Sequence, residues 1–400
     1  MRTVLRGAVV TRSTVLVDGA VEIDGDRINR VGPAGEGDGP PAPGTYLLPG
    51  LVDVHCHGGA GHGFPDAGPD GVRAAAAHHL AHGTTSLVAS LVSAPGPTLR
   101  DRVQLLAPLV AAGELAGIHL EGPFLARAQC GAQDPAAIVP GDPELLRLLL
   151  DDGGGRVRSM TLASETPRYR ELLAVLERHG VVPSLGHTDA SAAATAAGIA
   201  QAGEVPLSAT HLFNGMPALH HRAPGPAAAC LSAAVRGQMV VELVADGVHL
   251  ADETVAMVFD LVGPDRIALV TDAMAAAGMP DGRYQLGPLD VDVERGVARL
   301  AGPARPPAGT ERALAGGTAR LLDVVRRVVR HAGVALPAAV TAASGTPARL
   351  LGIDADVGDL VAGRRADVVV TDARLAPLAI MRAGRWVSPH STHERAKEVG

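Results

Sequence analysis

The sequence predicts a TIM-type (β/α)8 barrel joined to a small β-sandwich domain that is built from both ends of the chain. Eight short aliphatic segments follow one another over about 230 residues, each followed by an Ala- and Leu-rich stretch or a loop. Segments that are apolar throughout are typical of parallel strands buried on both faces. Both ends of the chain instead alternate apolar and polar residues, as half-buried antiparallel strands do.

The barrel elements are assigned from their own patterns. Strands are predicted at LLPGLVDVH, TTSLVASL, LAGIHLEGP, VRSMTLA, VVPSLGHT, LSATHLFN, VVELVADG and RIALVTDA. Helices are predicted at residues 70–82, 97–112, 143–151, 168–179, 189–202, 252–261 and 318–332. Residues 48–348 are therefore assigned to the barrel.

The two ends of the chain are predicted to pair into one discontinuous domain, residues 1–47 with residues 349–400. The runs AVVT, TVLVDG, AVEIDG and RINRVG indicate short strands with Gly and Asp at the turns. The Gly- and Pro-rich stretch 32–44 is predicted to be a connector. Short strands return in DVGDLVAGRRADVVVTD and RLAPLAIMRAGRWV, before a polar tail, HSTHERAKEVG.

Composition excludes several classes of function. Aromatic residues make up 2% of the chain and the net charge is −7, which argues against nucleic-acid binding. The only lysine is Lys397, so Schiff-base, pyridoxal-phosphate and carbamylated-lysine chemistry inside the fold are excluded. We expect no membrane span, because no apolar window approaches ~20 residues. We expect no signal peptide, because Arg6, Arg12 and Asp18 interrupt the apolar stretch at the N-terminus. Three scattered cysteines indicate a reduced, cytoplasmic protein without disulfides.

Polar residues capable of catalysis recur at the carboxyl ends of the predicted strands, where the active sites of such barrels lie. They are His55, His57, Glu121, His187, His211, Asp246, His249 and Asp272. Each has an ordinary alternative when taken alone: a histidine can be satisfied in a core, Glu121 can pair with an arginine, and Asp272 can cap a helix. A fold that brings all of them to one mouth favours a metal site, because a cation is a partner for a buried carboxylate.

Glu121, His187 and His211 are the candidate ligands of this metal. Imidazole and carboxylate donors favour Zn²⁺ or Fe²⁺ over Mg²⁺ or Ca²⁺, which prefer all-oxygen ligands. Three protein ligands leave one position open for water, as catalytic sites require. Asp272 could accept a proton from that water and pass it to a leaving group. His55 and His57 alternate in one strand, so both side chains lie on the same side and could bridge a metal.

Several segments resemble a known family. PGLVDVHCHGG is similar to the PGxxDxHxHG opening motif of the amidohydrolase superfamily. GIHLEGPF, SLGHTDA, THLFNGMPALHHRAPG, ADGVHL and VTDAMAAAG resemble, in that order, the signature segments of the N-acetylglucosamine-6-phosphate deacetylases, and ASGTPARLLGI and GDLVAGRRADVVV resemble their closing segments. The resemblance covers nearly the whole chain. It implies hydrolysis of N-acetyl-D-glucosamine 6-phosphate to glucosamine 6-phosphate and acetate, in amino-sugar catabolism and recycling.

The resemblance also implies the roles of the metal-site residues. The primary ligands would be Glu121, His187 and His211. Asp272 would be the catalytic acid and base. Members of the family differ over the His-x-His pair, and those that keep it can bind a second ion. This chain keeps His55 and His57, so the resemblance allows a second site in which Glu121 bridges two ions.

Substrate contacts and assembly are implied in the same way. Asn214 and the backbone of Gly215 match positions that contact the sugar phosphate, and His249 matches a substrate-contacting histidine. Arg222 matches an arginine that reaches across a homodimer to the phosphate of the neighbouring site. A planar guanidinium suits a phosphate, which would let an acidic protein bind an anion locally.

The chain departs from the family pattern at a few positions. Gln133 stands where the family often has a histidine that helps to hold the substrate carbonyl, and a glutamine can donate a hydrogen bond but carries no proton. Ala223 stands where a glutamate is common. Cys130, nearby, is interpreted as inert. Residues 302–312 look like a lengthened loop over the site, for which we have no functional account.

Other functions fit the same metal core. A deacetylase of N-acetylgalactosamine 6-phosphate is the nearest alternative. A deaminase or a cyclic-amide hydrolase is more distant, because a phosphate-free substrate would not need Asn214 and Arg222. A non-enzymatic protein with this barrel fold would be expected to have lost the metal-ligating residues, whereas this chain retains them together with Asp272.

Overall fold

A nearly closed ring of eight parallel strands forms the centre of the computed structural model, which describes residues 2–40, 43–302 and 312–387. Each strand pairs with its neighbours along the chain. From first to eighth, the barrel strands are Leu51–Cys56, Thr84–Leu91, Gly117–Glu121, Val157–Leu162, Val182–Leu185, Leu207–Ala209, Met239–Leu243 and Ile267–Leu269. Each overlaps one of the eight predicted runs, so the barrel prediction is confirmed.

The barrel closes where the eighth strand meets the first. The backbone N–H of Asp272 donates to the carbonyl of His55 at 2.9 Å. The buried Asp53 carboxylate accepts hydrogen bonds from the Thr271 hydroxyl at 2.6 Å and from the Thr271 backbone N–H at 3.4 Å. Burial raises the pKa of Asp53 to about 6, against the opposing effect of the Thr271 hydrogen bond. These contacts hold His55 and Asp272 side by side at one end of the barrel.

Thr271→Val is expected to destabilise the protein by about 1–3 kcal/mol, because it leaves the buried Asp53 carboxyl group without its shortest hydrogen bond. The free energy of unfolding in urea is the measurement. Thr14→Val is the matched control, since Thr14 is exposed and the same change there should cost less than about 0.5 kcal/mol. Equal losses in the two variants would contradict this account of the closure.

The helices alternate with the barrel strands. The seven predicted ones are found at Pro69–Ala81, Gly96–Ala111, Pro143–Gly153, Tyr169–Arg178, Ala192–Gln201, Asp252–Val262 and Leu321–Arg330. Three more α-helices were not predicted, at Gly225–Val235, Leu336–Ala343 and Gly345–Leu350, and short 3-10 turns lie at Arg127–Gln129 and Pro264–Arg266. The first two of the unpredicted helices are apolar almost all round and so lack the periodic polar face that identifies a helix. No helix in the described part of the chain is long and apolar enough to cross a membrane.

The two ends of the chain form one seven-stranded sheet, which confirms that they pair into one β-domain. Its strands lie in the order Arg385–Trp386, Pro377–Arg382, Val368–Thr371, Tyr46–Pro49, Arg2–Val10, Val15–Asp24 and Arg27–Pro33. A separate cluster of buried residues, including Val9, Ile23 and Val368, forms the apolar core of this sheet. The exact domain boundaries, 47/48 and 348/349, stay a prediction.

A small sheet that the sequence did not reveal follows the eighth barrel strand. Its antiparallel strands are Gly282–Leu286, Leu289–Glu294 and Val297–Leu300. Two further short strands, Gly58–Gly59 and His62–Gly63, pair after the first barrel strand. The predicted long loop at 302–312 falls almost entirely outside the described residues, which resume at Arg312.

Candidate metal centre

The candidate ligands meet at the carboxyl end of the barrel, and three of the residues there have positive φ angles. His55 lies in the first strand and Glu121 ends the third, whereas His187, His211 and Asp272 follow the fifth, sixth and eighth strands. The last three have φ angles of 46°, 29° and 48°. Few non-glycine residues adopt positive φ, because the conformation is sterically costly. Such backbone is typical of functional sites, where the surrounding fold imposes it.

The first group of potential ligands is Glu121, His187 and His211, all buried. The Oε1 atom of Glu121 lies 3.1 Å from the Nε2 atom of His187 and 2.9 Å from the Nε2 atom of His211. The two Nε2 atoms are themselves 3.1 Å apart. Three donor atoms therefore converge on one small space, as the sequence predicts.

The second group is His55, His57 and Asp272, also buried. The Nε2 atoms of His55 and His57 are 3.1 Å apart, and the Oδ1 atom of Asp272 lies 3.5 Å and 3.3 Å from them. Glu121 stands between the two groups, because its Oε2 atom is 3.2 Å from the Nε2 atom of His57. The geometry thus offers two adjacent sites that share one carboxylate.

The outer nitrogens of the rings show that a cation fits these groups. The Nδ1 atom of His187 lies 2.7 Å from the carbonyl oxygen of Gln129, and that of His57 lies 3.2 Å from the carbonyl oxygen of Ser90. A carbonyl only accepts, so each Nδ1 carries a hydrogen. In its neutral form each ring therefore presents an Nε2 lone pair to the centre. Lone pairs and carboxylate oxygens that face each other at about 3 Å repel unless a cation lies between them. The donor set suits Zn²⁺ or Fe²⁺.

Both carboxyl groups at the centre are held ionised. Burial favours the neutral form of Glu121, but when the imidazoles are protonated, the charge of His55 and the hydrogen bonds of the other rings outweigh it and hold the pKa of Glu121 well below its usual value. For Asp272, burial is likewise outweighed by the charge of His55 and the hydrogen bond of His57, which lower the pKa. An ionised Asp272 is able to accept a proton.

A cavity of about 230 Å³ opens directly on the two groups. The predicted substrate-contacting residues in its lining are Gln133, Asn214, Gly215 and His249. The Nδ1 atom of His249 is 2.9 Å from the Oδ2 atom of Asp246, so this imidazole is held in place by a carboxylate. The described part of the lining contains no arginine and no lysine.

Glycine is needed at position 215 because the chain passes close to a ligand ring. Gly215 has a φ of +60°, and a Cβ atom there would lie 2.9 Å from the Nδ1 atom of His187. Its carbonyl oxygen accepts a hydrogen bond from the backbone N–H of Thr188 at 3.1 Å. The backbone at Gly215 therefore forms part of the cavity wall and also fixes the position of the His187 segment.

Gln133 contacts a candidate metal ligand, and Arg222 lies outside the cavity of its own chain. The side-chain amide of Gln133 donates to the Oε2 atom of Glu121 at 2.6 Å, and its oxygen accepts from the backbone N–H of Ser93 at 2.7 Å. Arg222 is exposed, with its guanidinium 2.8 Å from the Nε2 atom of His221. Arg222 is not among the described residues that line the cavity of its own chain.

A family model for the amidohydrolases matches residues 46–388, most of the chain. The chain belongs to the amidohydrolase family. Members of this family carry a divalent metal, and the two groups around Glu121 are where this amidohydrolase could hold it.

Several relatives of this amidohydrolase are deacetylases of amino-sugar phosphates. It is 31% identical to the N-acetylglucosamine-6-phosphate deacetylase of Bacillus subtilis, over 92% of both chains. It is 34% identical to the N-acetylgalactosamine-6-phosphate deacetylase of Escherichia coli O157:H7, over 86% of this chain and 88% of that one. The crystal structure of N-acetyl-D-glucosamine-6-phosphate deacetylase from Mycobacterium smegmatis superimposes with a TM-score of 0.89 at 41% identity, covering 96% of this chain and all of that one.

Sequence reasoning missed the polar residues that support the ligands of this amidohydrolase. The buried Glu242 carboxylate lies 3.0 Å from the Nδ1 atom of His55. Next to it, inside the barrel, a network of buried hydroxyl and imidazole groups joins Ser90, His119, Thr161, Ser184 and Thr210. These residues could have been recognised as polar residues inside otherwise apolar strands, because a buried polar group is costly unless it has a hydrogen-bonding partner.

Proposed function

We propose that this amidohydrolase hydrolyses the acetamide of N-acetyl-D-glucosamine 6-phosphate, giving D-glucosamine 6-phosphate and acetate, in amino-sugar catabolism and recycling. The observation that carries the proposal is the placement of Asp272, whose carboxylate belongs to the second candidate ion group and lines a substrate-sized cavity. The deacetylases among the relatives, which match nearly the full chain, support the choice of reaction.

The resident cofactor of this reaction is proposed to be Zn²⁺ or Fe²⁺. Glu121, His187 and His211 would hold one ion, and His55 and His57 a second. A divalent ion bound here supplies Lewis-acid polarisation of the amide carbonyl and activation of water. Imidazole nitrogens and one carboxylate form a donor set of the kind that catalytic zinc and iron sites use.

Asp272 is proposed to move the proton in both halves of the reaction. As a carboxylate it accepts a proton from the attacking water, whose oxygen forms a bond to the acetamide carbon. It then delivers this proton to the amide nitrogen as the C–N bond breaks, so that the amine leaves neutral and acetic acid remains, which ionises to acetate.

The remaining predicted residues would bind the sugar. We propose that Asn214, the backbone of Gly215, and His249 contact the sugar phosphate, since all three face the cavity. His249 is backed by Asp246, which favours its charged form. Gln133 is proposed to help hold the acetamide carbonyl, at the edge of the same cavity.

The phosphate partner is proposed to come from a second copy of the chain in a homodimer. The described cavity lining carries no cationic side chain besides its histidines, although the substrate is a phosphate ester. Arg222 is exposed on the segment that follows Asn214 and Gly215. An exposed arginine on this segment is free to enter the cavity of a neighbouring copy, where its guanidinium would bind the phosphate.

Arg222→Met is expected to raise KM for the phosphorylated sugar by about 10- to 100-fold, because a charge-assisted hydrogen bond to an anion contributes roughly 1.5–3 kcal/mol. The value of kcat should change much less, since Arg222 contacts no reacting atom. Steady-state kinetics on both sugars is the measurement. The control is Arg236→Met, because Arg236 is also an exposed arginine but does not lie on the segment that follows Asn214 and Gly215. An unchanged KM in Arg222→Met would exclude the phosphate role.

N-acetylgalactosamine 6-phosphate is a second candidate substrate. The observation in its favour is the 34% identity to the deacetylase named for that sugar. The two sugars differ only in the configuration of one hydroxyl, so the metal groups and Asp272 would serve both. The preference between them depends on contacts of that hydroxyl with the cavity wall.

Acetate release tests the proposed function. Metal-loaded protein is incubated with N-acetylglucosamine 6-phosphate, N-acetylgalactosamine 6-phosphate and unphosphorylated N-acetylglucosamine, and kcat/KM is compared. We expect the first to be the best substrate and the unphosphorylated sugar the poorest. Equal rates on the phosphorylated and unphosphorylated sugars would contradict the proposed phosphate recognition, and absence of acetate from all three would contradict the function.

The proposed location is the cytoplasm. All three cysteines are unpaired, with Cys56 and Cys230 buried and Cys130 partly exposed. Unpaired thiols persist in a reducing compartment.

A further inference from the structure

The seventh barrel strand carries a carboxylate inside the barrel. Glu242 alternates with Val240 and Val244, which belong to the aliphatic cluster of the barrel interior. Its residue surface is 3% exposed. A buried carboxylate costs several kcal/mol unless it is paired and hydrogen-bonded. The sequence therefore keeps a costly group at a place where a valine would fit the pattern.

One oxygen of Glu242 connects the two candidate ion groups. Its Oε2 atom lies 3.0 Å from the Nδ1 atom of His55, which belongs to the second group. The same atom accepts a hydrogen bond from the backbone N–H of His211, a member of the first group, at 3.2 Å. The carbonyl of Glu242 also accepts from the backbone N–H of Leu212 at 2.9 Å. Glu242 thus holds a ring of one group and the chain segment of the other.

The contacts of Glu242 differ from those of a carboxylate that only stabilises the fold. Glu22, buried in the terminal sheet, pairs with Arg2 and lies near Arg30. Glu242 forms no ion pair with an arginine or lysine in the described part of the chain, and its ionisable partner is the His55 ring. When Nδ1 of the neutral His55 ring donates to this carboxylate, Nε2 keeps its lone pair and points to His57, 3.1 Å away.

We propose that Glu242 is a positioning residue that orients His55 for a cation in the second group and couples that cation to the first group through the His211 segment. Outer hydrogen bonds of this kind orient metal-ligating imidazoles and raise their basicity. Coupling through one shared atom is reciprocal, so an ion in either group should change the affinity of the other group by the same factor. The proposal rests on the proposed function only in taking both groups as ion sites.

Ion binding without substrate tests the proposal. The full-length protein is stripped with a chelator and dialysed against increasing free Zn²⁺, and bound zinc is measured by elemental analysis. The variants are Glu242→Ala and Glu242→Gln, with Glu22→Ala and Glu22→Gln as matched controls for losing a buried carboxylate. We expect two bound ions in the wild type and in both controls. The second ion should bind about 10- to 100-fold more weakly in Glu242→Ala.

The conservative variant separates positioning from folding. An amide oxygen at position 242 can still accept from His55 and His211, so Glu242→Gln should fold and lose less affinity for the second ion than Glu242→Ala. If Glu242→Ala fails to fold, a weaker second ion in Glu242→Gln than in Glu22→Gln still supports the proposal. Unchanged zinc binding in Glu242→Gln and Glu242→Ala, or a single ion in the wild type, would overturn it.

A spectroscopic measurement checks that the ligand geometry is what changes. Co²⁺ replaces Zn²⁺ in the same proteins, and the visible absorption bands are compared at one and two equivalents. We expect the spectrum of the second equivalent to change in the Glu242 variants and not in the Glu22 variants. Since neither experiment contains substrate, a protein that binds two coupled ions but releases no acetate would refute the proposed function and leave this inference standing. Identical spectra in all variants would overturn the inference alone.

Discussion

Asp272→Asn is expected to lower kcat for acetate release by about 10²- to 10⁴-fold, the range that a positioned general acid or base contributes. Asparagine keeps the shape of the side chain, and its oxygen can still face His55 and His57. It cannot accept the proton of the attacking water or return one to the leaving amine. KM should change little, because substrate binding is proposed to depend on other residues.

Ion content measured on the same sample separates proton transfer from metal loss, since Asp272 also belongs to the second candidate group. We expect the ion held by Glu121, His187 and His211 to remain at one equivalent. Asp260→Asn, on the exposed face of the helix Asp252–Val262, is the control for the same chemical change elsewhere. A variant at position 272 that keeps more than about a tenth of the wild-type kcat, well above the range for such a group, would remove Asp272 from the proposed role.

Glu121→Gln should remove tightly bound ions from both groups and reduce activity to the background. Glu121 is the one carboxylate shared by the groups: its Oε1 atom faces His187 and His211, and its Oε2 atom faces His57. A neutral amide is a weaker ligand, and its NH₂ group would take the place of one ligand oxygen. We expect less than one ion per chain after dialysis, measured by elemental analysis.

The same variant should also lose the stabilisation that ion binding gives. A ligand at 100 times its dissociation constant stabilises the folded state by about 2.7 kcal/mol, so added Zn²⁺ should raise Tm of the wild type and not of Glu121→Gln. Glu177→Gln, on an exposed helix position, controls for the loss of a charge and should keep the zinc-dependent shift. If Glu121→Gln binds zinc as tightly as the wild type, Glu121 is not the shared ligand.

The parts of the fold that sequence alone could predict were those with a local pattern. Continuous apolar runs marked the barrel strands, and the Ala- and Leu-rich stretches between them marked seven helices. The position of a residue at the end of such a run was enough to bring His55, Glu121, His187 and Asp272 to one edge, because parallel strands present their carboxyl ends together. The candidate ligands therefore followed from strand order, without any knowledge of distances.

What the sequence did not reveal depends on tertiary contacts. Whether Glu242 or His119 faces the barrel interior depends on strand register, which the apolar runs do not specify. The partners of Gln133 are Glu121, at the end of the third barrel strand, and Ser93, in the loop after the second, so its contact with Glu121 could not be read from the segment around it. The sheet at residues 282–300 is partly exposed and polar, and its short strands carry a weak pattern.

The most direct test of the account is to measure acetate release from N-acetylglucosamine 6-phosphate against the number of ions bound. Protein stripped by a chelator is reloaded with known equivalents of Zn²⁺ or Fe²⁺, and the rate is plotted against bound metal. We predict no activity in the stripped protein and a rise that reaches its plateau at one or two equivalents per chain. Full activity in the stripped protein, or a rate that does not follow ion content, would contradict the claim that Glu121, His187 and His211 form the catalytic metal site.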